Sequence, residues 1–201
     1  MTDKSDDNKP NNIFINMIQK QLKKEEMINI WNDSKYKDII KLQANNVGIV
    51  GETFIQNICE CCKIESCING AKTKKIGGDG IICNKNVEIK TAHQGSKISS
   101  FQHELGEIPW ISDIIIFIDI SPNCIYLTIF NNFPEEIYKH SLKCNPYFPT
   151  RTITWRKKSG AFKLDTTVKI NEDNIQKGYT LKIEDITNLE VIKEFILSRV
   201  K

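Results

Sequence analysis

The sequence lacks any uninterrupted apolar segment of the ~18 residues that a membrane-spanning helix requires. Its first twelve residues, MTDKSDDNKPNN, are acidic and polar and contain no apolar segment of the kind found in secretory signals. These two absences predict a soluble, intracellular, cytoplasmic protein with no membrane partner. The same polarity predicts that residues 1–12 are disordered, because they offer little apolar surface to bury.

The sequence also lacks the two paired Cys-x-x-Cys units that are typical of a zinc site. The seven cysteines are an odd number, which argues against a complete disulfide framework and agrees with a reducing compartment. Four cysteines lie close together in the sequence: Cys59, Cys61, Cys62 and Cys67. The side chains of adjacent Cys61 and Cys62 would diverge by about 100° on a helix, which is awkward for one tetrahedral zinc site. We therefore predict buried free thiols. The GGDG segment is not followed by Lys-Ser or Lys-Thr, which argues against a nucleotide cofactor.

The positive charge of the chain is concentrated in one segment. The whole sequence carries a formal charge of +3, whereas residues 139–169 hold eight lysines or arginines against one acid, a local charge of +7. Such an asymmetry is typical of a surface that docks on a polyanion. A solvated surface of uneven sign is the alternative.

The length and 40% hydrophobic content suit one domain over residues 13–201. Periodicity, caps and turn residues predict the elements in this order: a helix over 13–31, a helix over 35–61 broken near 45–46, a hairpin over 77–92, a short helix over 97–106, buried strands over 113–120 and 124–130, a helix over 134–142, a hairpin over 152–170, a strand over 179–183 and a helix over 189–200. This order predicts an α/β fold with a central mixed β-sheet flanked by helices.

The segment Val87-Glu88-Ile89-Lys90 alternates apolar and charged residues, the period of a half-buried strand. Glu88 and Lys90 therefore share one face. If Asn84-Lys85 forms a two-residue turn, Asp79 falls opposite Lys90 and joins that face, diagonal to Glu88. A three-residue loop would shift the register by one and turn Asp79 to the other face.

Two carboxylates on one face repel each other unless a cation lies between them, and hard oxygen ligands favour Mg²⁺. A lysine beside them can hold or deprotonate an attacking water, or stabilise negative charge developing on a phosphodiester. The alternative is that Asp79 is a plain turn residue and that Glu88 and Lys90 form a solvated strand face.

These residues resemble the PD-(D/E)xK nuclease motif: Gly-Gly-Asp79-Gly is followed by Glu88-Ile89-Lys90, with Gly78 where typical members have proline. Members often carry a glutamate on an upstream helix, which matches Glu52 in VGIVGETF. They often carry a polar residue on the next helix, which matches Gln102 in SFQHE. The resemblance spans about residues 45–131 and implies a restriction-endonuclease-like αβββαβ core.

The resemblance also implies metal-dependent cleavage of nucleic acid, with Mg²⁺ as cofactor and Mn²⁺ as a substitute. Asp79, Glu88 and Lys90 would be catalytic, with Glu52 as an auxiliary residue. The metal ligands would be Asp79, Glu88, Glu52 and the Ile89 carbonyl. For Glu52, an ordinary surface position on a helix is the alternative.

A single-domain chain with a long basic tail is similar to the type II restriction endonucleases, which implies sequence-specific cleavage of double-stranded DNA by a homodimer. Residues 139–170 would read the DNA, with a basic hairpin in the major groove. The candidate DNA-binding residues are Gln102, His93, Arg151, Thr154, Arg156, Lys157, Lys158 and Lys163. The alternatives are a repair or recombination nuclease of the same superfamily, such as a junction resolvase or nicking enzyme, and a non-catalytic DNA-binding module.

Overall fold

The computed structural model describes residues 9–69, 78–96, 100–106, 112–131, 152–156 and 161–200, of which 106, 152–156 and 161–165 are described by their backbone. The helices of this part are α1 (Pro10–Met27), a short 3₁₀ helix (Lys37–Lys41), α2 (Ala44–Cys61), α3 (Val168–Gln176) and α4 (Leu189–Val200). The strands are β1 (Ser66–Ile68), β2 (Gly80–Ile82), β3 (Lys85–His93), β4 (Ser100–Gly106), β5 (Ile114–Ile120), β6 (Ile125–Asn131), β7 (Thr152–Arg156), β8 (Ala161–Thr167) and β9 (Thr180–Ile183).

The main sheet has six strands in the order β1-β2-β3-β5-β6-β9. Strands β3 and β5 are parallel, whereas the other neighbours are antiparallel, so the sheet is mixed. Helices lie against it, which confirms the prediction of an α/β fold with a mixed central sheet flanked by helices. The two buried strands predicted over 113–120 and 124–130 are confirmed as β5 and β6, and the predicted terminal helix is α4.

The prediction of a helix over 97–106 is wrong, because residues 100–106 form β4. This strand joins β8 and β7 in a second, three-stranded sheet in the order β4-β8-β7. The hairpin predicted over 152–170 is confirmed as β7 and β8, but β8 ends at Thr167 and Val168 begins α3. Thr167 caps that helix, since its Oγ1 accepts a hydrogen bond from the Ile170 N–H at 3.2 Å.

One face of the main sheet is covered by α2 and α4. Helix α2 buries four residues at a spacing of four, Val47, Gly51, Ile55 and Cys59, and α4 buries Ile192, Ile196 and Val200 in the same way. This spacing gives each helix a single apolar stripe. The stripes pack on isoleucines and other apolar residues of the central strands and form the largest hydrophobic cluster of the described residues.

The second sheet meets the main sheet through buried polar contacts as well as apolar ones. His103 of β4 is buried, and its Nε2 lies 2.5 Å from Oδ1 of the buried Asp119 on β5. The Asn171 side chain of α3 donates to the other carboxylate oxygen of Asp119 at 2.7 Å. These contacts join β4, β5 and α3, and they fix the position of β4 over the sheet.

The N-terminal elements differ from the predicted ones. Helix α1 starts at Pro10, within the stretch predicted to be disordered, and has no buried residue. The predicted long helix over 35–61 is divided into the 3₁₀ helix and α2, since Leu42 and Gln43 are extended. The predicted helix over 134–142 lies outside the described residues. None of the helices in the described ranges has the length and apolarity needed to cross a membrane.

The turn between β2 and β3 lies one residue earlier than the predicted turn. Ile82 pairs with Lys85, so Cys83 and Asn84 form the two-residue loop, and both have positive φ, as a type I′ turn requires. Asp79 therefore lies beside Glu88 and not opposite Lys90. Moving the turn by one residue shifts the pairing register by two, an even number, so Asp79 keeps the predicted face.

Gly51 sets the distance between α2 and β3. A Cβ at Gly51 would collide with Oγ1 of Thr91, whereas a Cβ at Gly48 would meet nothing within 4 Å. We expect Gly51→Ala to lower the free energy of unfolding by about 1–3 kcal/mol through overpacking. Gly48→Ala in the same helix is the matched control and should raise it by up to about 1 kcal/mol through helix propensity. Urea unfolding of both variants decides the point, and equal effects would contradict it.

Candidate active site

Asp79 is held at the start of β2 by the backbone of β3. Its N–H donates to the Val87 carbonyl at 2.8 Å, and its Oδ2 accepts from the Ile89 N–H at 2.7 Å. The preceding Gly78 has φ +107°, and a Cβ there would collide with the Val87 carbonyl oxygen. Proline, whose φ is fixed near −65°, cannot adopt this conformation. The departure from the nuclease motif at Gly78 therefore has a local structural cause.

Glu88 and Lys90 share one face of β3 and form an ion pair between Oε1 and Nζ. Each side chain is 23% exposed, so both are half-buried and water screens the pair only in part. Strand β2 pairs with β3 only as far as Val87. Beyond Val87, the backbone of β3 on the β2 side has no strand partner in the described part of the chain. The side chain of Asp79 occupies part of this edge by accepting from the Ile89 N–H.

Glu52 approaches this group from α2. The residue is half-buried, and its pKa is raised above the ordinary value of 4.5, first by burial and then by the negative charges of Asp79 and Glu88, while Lys90 opposes the shift. Gly51, next to Glu52 in the helix, allows α2 to lie close to β3. The structure brings four of the predicted residues together: Glu52, Asp79 and Lys90 line one cleft, and Glu88 forms an ion pair with Lys90.

A cleft of about 1220 Å³ lies between α2, β3 and β4. Glu52, Asp79 and Lys90 line it, whereas Glu88 lies beside it as the ion-pair partner of Lys90. The lining residues are Ala44, Asn45, Gly48, Ile49, Glu52, Thr53 and Gln56 of α2, Ile68 and Asn69, Asp79, Ile89, Lys90 and Thr91, and Gln102, His103 and Glu104 of β4. A space of this size and polarity suits a charged ligand of several groups.

The oxygen atoms of the cleft suit a hard divalent cation. Within the described residues no hydrogen bond engages Oδ1 of Asp79. The Ile89 carbonyl points to the same strand edge as its N–H, toward Asp79. Across the described ranges, no three His, Cys, Asp or Glu side chains lie close enough to hold a metal ion together. Mg²⁺ requires only one or two carboxylates, with waters and substrate oxygens completing its shell, so the donor set fits it.

The predicted DNA-binding residues fall in three places. Gln102 is exposed on β4 and lines the cleft, while His93 ends β3 beside it. Thr154 and Arg156 lie in β7 and Lys163 in β8, where Lys163 pairs with both Glu104 and Thr154. The remaining three, Arg151, Lys157 and Lys158, lie outside the described residues.

Glu104 is a cleft residue that sequence reasoning missed. The omission results from the wrong prediction of a helix over 97–106, in which Gln102 is the only polar residue assigned to the site. The alternation of burial from Phe101 to Leu105, with Gln102 and Glu104 exposed between buried neighbours, is the period of a strand. That alternation is visible in the sequence FQHEL and is the signal that identifies the residue.

The cysteines were predicted to be buried thiols, and this is half right. Cys59 and Cys62 are buried, whereas Cys61 and Cys67 are exposed. Burial raises the pKa of Cys59 to about 11, which keeps its thiol protonated at neutral pH.

Comparison of the chain with protein-family models, with curated proteins and with solved structures finds no match. The case for a function therefore depends on the geometry of the cleft.

The raised pKa of Glu52 predicts a pH-dependent gain in stability for Glu52→Gln. The folded state holds the proton of Glu52 more tightly than the unfolded state, so ionisation of the wild-type side chain opposes folding. The variant should match wild type below about pH 4.5, gain on it as pH rises through the elevated pKa, and keep a constant advantage above it. Melting temperatures measured from pH 4 to 8 test this. An advantage that is largest at pH 4 would contradict it.

Proposed function

We propose that the chain is a Mg²⁺-dependent DNA endonuclease of the PD-(D/E)xK type that cleaves a phosphodiester bond in the cleft. The observation that carries this proposal is the convergence of Asp79 and Lys90 with Glu52 on one cleft, with Glu88 paired to Lys90. Asp79, Glu88 and Lys90 belong to the β2–β3 hairpin, whereas Glu52 comes from α2, so two separate elements bring charged groups to the same place. A carboxyl group whose pKa is perturbed in a cleft, as that of Glu52 is, is typical of a functional site.

The order of the elements supports the same proposal. Helix α2 is followed by the antiparallel strands β1, β2 and β3, and then by β5 parallel to β3. This order resembles the αβββαβ core, except that β4 occupies the place of the second helix. The difference puts a strand, and with it Gln102 and Glu104, over the cleft.

Asp79 and the Ile89 carbonyl, together with either Glu88 or Glu52, are the groups that would hold the metal, since the described carboxylates do not form a group of three around one point. When bound, Mg²⁺ neutralises charge on a phosphodiester oxygen and lowers the pKa of a bound water. The oxygens present match its preference for hard ligands.

Lys90 supplies a cationic group to the cleft. Its Nζ has three donors and can hold the attacking water or donate to an oxygen that gains charge in the transition state. Its ion pair with Glu88 keeps the ammonium on the cleft side of β3. Asp79 is fixed by the Ile89 N–H, so its carboxylate needs no reorganisation when substrate binds.

We further propose that the enzyme cuts double-stranded DNA at a specific sequence and acts as a homodimer, as restriction endonucleases do. The positive segment over 139–169 supports contact with a polyanion. The second sheet supports a physical connection between sequence recognition and DNA cleavage. Its strands β8 and β7 belong to the positive segment, and they extend directly from β4 at the cleft. Two copies of one active site are the simplest means of cutting both strands of a symmetric sequence.

Arg156 and Lys158 should differ in their effects on DNA binding. Arginine can make two hydrogen bonds to a guanine edge, worth ~1–3 kcal/mol of discrimination, whereas a lysine near phosphate weakens binding to all sequences when it is removed. We expect Arg156→Ala to lose preference at one base pair and Lys158→Ala to reduce the salt dependence of binding. Affinities for a panel of single-base variants, at several salt concentrations, measure both. Unchanged discrimination by Arg156→Ala would mean that the hairpin is not the reader.

Incubation of the protein with supercoiled plasmid and Mg²⁺, followed by sequencing of the ends, tests the proposal. A single short sequence at every cut is expected. Cleavage confined to junctions or mismatched DNA would replace the restriction-type proposal with a repair or recombination nuclease. Binding without any cleavage in Mg²⁺ would overturn the nuclease and leave a DNA-binding module.

A further inference from the structure

A second, smaller cavity adjoins the cleft along β3. It has a volume of about 430 Å³ and shares Ala44, Thr91 and Gln102 with the cleft. We call this cavity the side pocket. Its volume lies in the ~300–1,000 Å³ range of small-molecule sites. A group entering the side pocket would therefore remain close to a ligand held at Lys90.

The walls of the side pocket combine apolar side chains with four polar ones, among them the hydroxyl groups of Thr91 and Ser100. Leu42, Val47 and Ala92 provide the apolar surface, and His93 and Gln102 provide a ring and an amide. A flat, apolar group with hydrogen-bonding edges matches such a lining. Nucleobases combine a stacking face with polar edges in this way.

His93 is held in a fixed orientation. Its Nδ1 lies 3.1 Å from the Gln94 carbonyl, which also accepts a hydrogen bond from Trp31 Nε1 at 3.1 Å. A carbonyl oxygen only accepts, so Nδ1 carries the proton and Nε2 of the neutral ring is an acceptor. The indole of Trp31 packs edge-on against the imidazole, with ring centroids 6.0 Å apart. His93 lines the pocket, so its neutral ring brings an acceptor nitrogen to the pocket wall, which suits the exocyclic amino group of a base.

We propose that the side pocket receives one nucleobase, unstacked from a DNA strand whose phosphodiester lies in the cleft. The inference rests on the proposed function, because it assigns part of the substrate of that same site. The shared chemistry is an unstacked base, which comes either from a strand that is already unpaired or from a duplex that opens on binding at the cost of its stacking. His93 and Gln102 then become residues that determine base preference.

Two exposed positions offer a matched pair of variants. Leu42, 38% exposed, lines the side pocket, whereas Val50, 41% exposed, lines neither cavity. Leu42→Trp should fill the pocket, and Val50→Trp controls for a surface tryptophan. Affinities are measured in Ca²⁺ for a short deoxyadenylate single strand and for a base-free deoxyribose-phosphate strand of the same length. The affinity ratio of the two strands isolates the contribution of the bases.

Wild type and Val50→Trp should prefer the deoxyadenylate strand by at least about fivefold, in line with the stacking of one base. Leu42→Trp should lose most of that preference while its affinity for the base-free strand stays unchanged. His93→Ala, which removes only the ring, should lose it in part and serves if the first variant fails to fold. A preference equal in wild type and in the pocket variants would overturn the inference.

A duplex that carries 2-aminopurine, whose emission rises when it leaves the stack, separates the two sources of the base. If the emission of the duplex rises on binding to wild type but not on binding to Leu42→Trp, the duplex opens on binding. A rise confined to gapped DNA identifies an unpaired strand. Cleavage of plasmid in Mg²⁺, without any pocket-dependent preference for the deoxyadenylate strand, would contradict this inference and leave the proposed nuclease unaffected. Pocket-dependent preference without cleavage would instead sink the proposed nuclease.

Discussion

Asp79→Asn, Glu88→Gln and Lys90→Met should each reduce DNA cleavage by at least about 100-fold, the usual cost of losing a group that stabilises transition-state charge or transfers a proton. Each substitution keeps the size of the side chain and removes its charge. Asp79→Asn should not disturb β3, because an amide oxygen can still accept from the Ile89 N–H. The fold should therefore survive while the chemistry is lost.

Binding of DNA separates catalysis from structure in these variants. The two acid variants should bind at least as tightly as wild type, because the repulsion between carboxylate and phosphate is relieved. Lys85→Met and Asp173→Asn are suitable controls, since both residues are exposed in regular elements away from the cleft. Initial rates on plasmid, together with melting temperatures, measure the effect. Wild-type turnover by any of the three cleft variants would end the assignment.

Removal of divalent metal should abolish cleavage altogether. Oxygen ligands predict activity in Mg²⁺ or Mn²⁺ and silence in EDTA. Ca²⁺ should support binding with little cleavage, because it is larger and activates water poorly. Excess Mg²⁺ added after EDTA should restore the rate, which excludes loss of the fold as the cause.

Binding of Mg²⁺ should also stabilise the folded protein. Burial, and after it the negative charges of Asp79 and Glu88, raise the pKa of Glu52. A bound cation should lower that pKa and stabilise the folded state by linkage. The melting temperature should rise with Mg²⁺ in wild type and rise less in Glu88→Gln. Full cleavage in EDTA would rule out the mechanism even if this shift were observed.

The strand face shared by the proposed catalytic residues was predictable, because the alternation of side chains along a strand decides it. The two-residue period of β3 fixes Glu88 and Lys90 on one face regardless of the turn. The turn was placed one residue too late, which moves the register by two, and an even shift leaves Asp79 on the same face. The proximity of Glu52 to Asp79 could not be derived in this way, since it depends on how closely α2 approaches at Gly51.

The position of β4 could not be predicted from local pattern alone. Its partner is β8, far along the chain, and no nearby residue signals that pairing. A short segment ending in glycine satisfies the rules for a helix terminus as well as those for a strand. The error mattered for function, because the strand carries Glu104 as well as Gln102 to the cleft.

The pairing of β4 with β8 has a consequence for how the protein is made. The proposed catalytic residues, from Glu52 to Lys90, all precede residue 91, but the strand that closes the cleft is anchored by residues 161–167. Contacts between distant segments form slowly, because the intervening chain must be ordered first. During synthesis from the N-terminus, the proposed catalytic residues are therefore made well before the cleft can form around them. We expect the chain to acquire its activity only at the end of translation and folding.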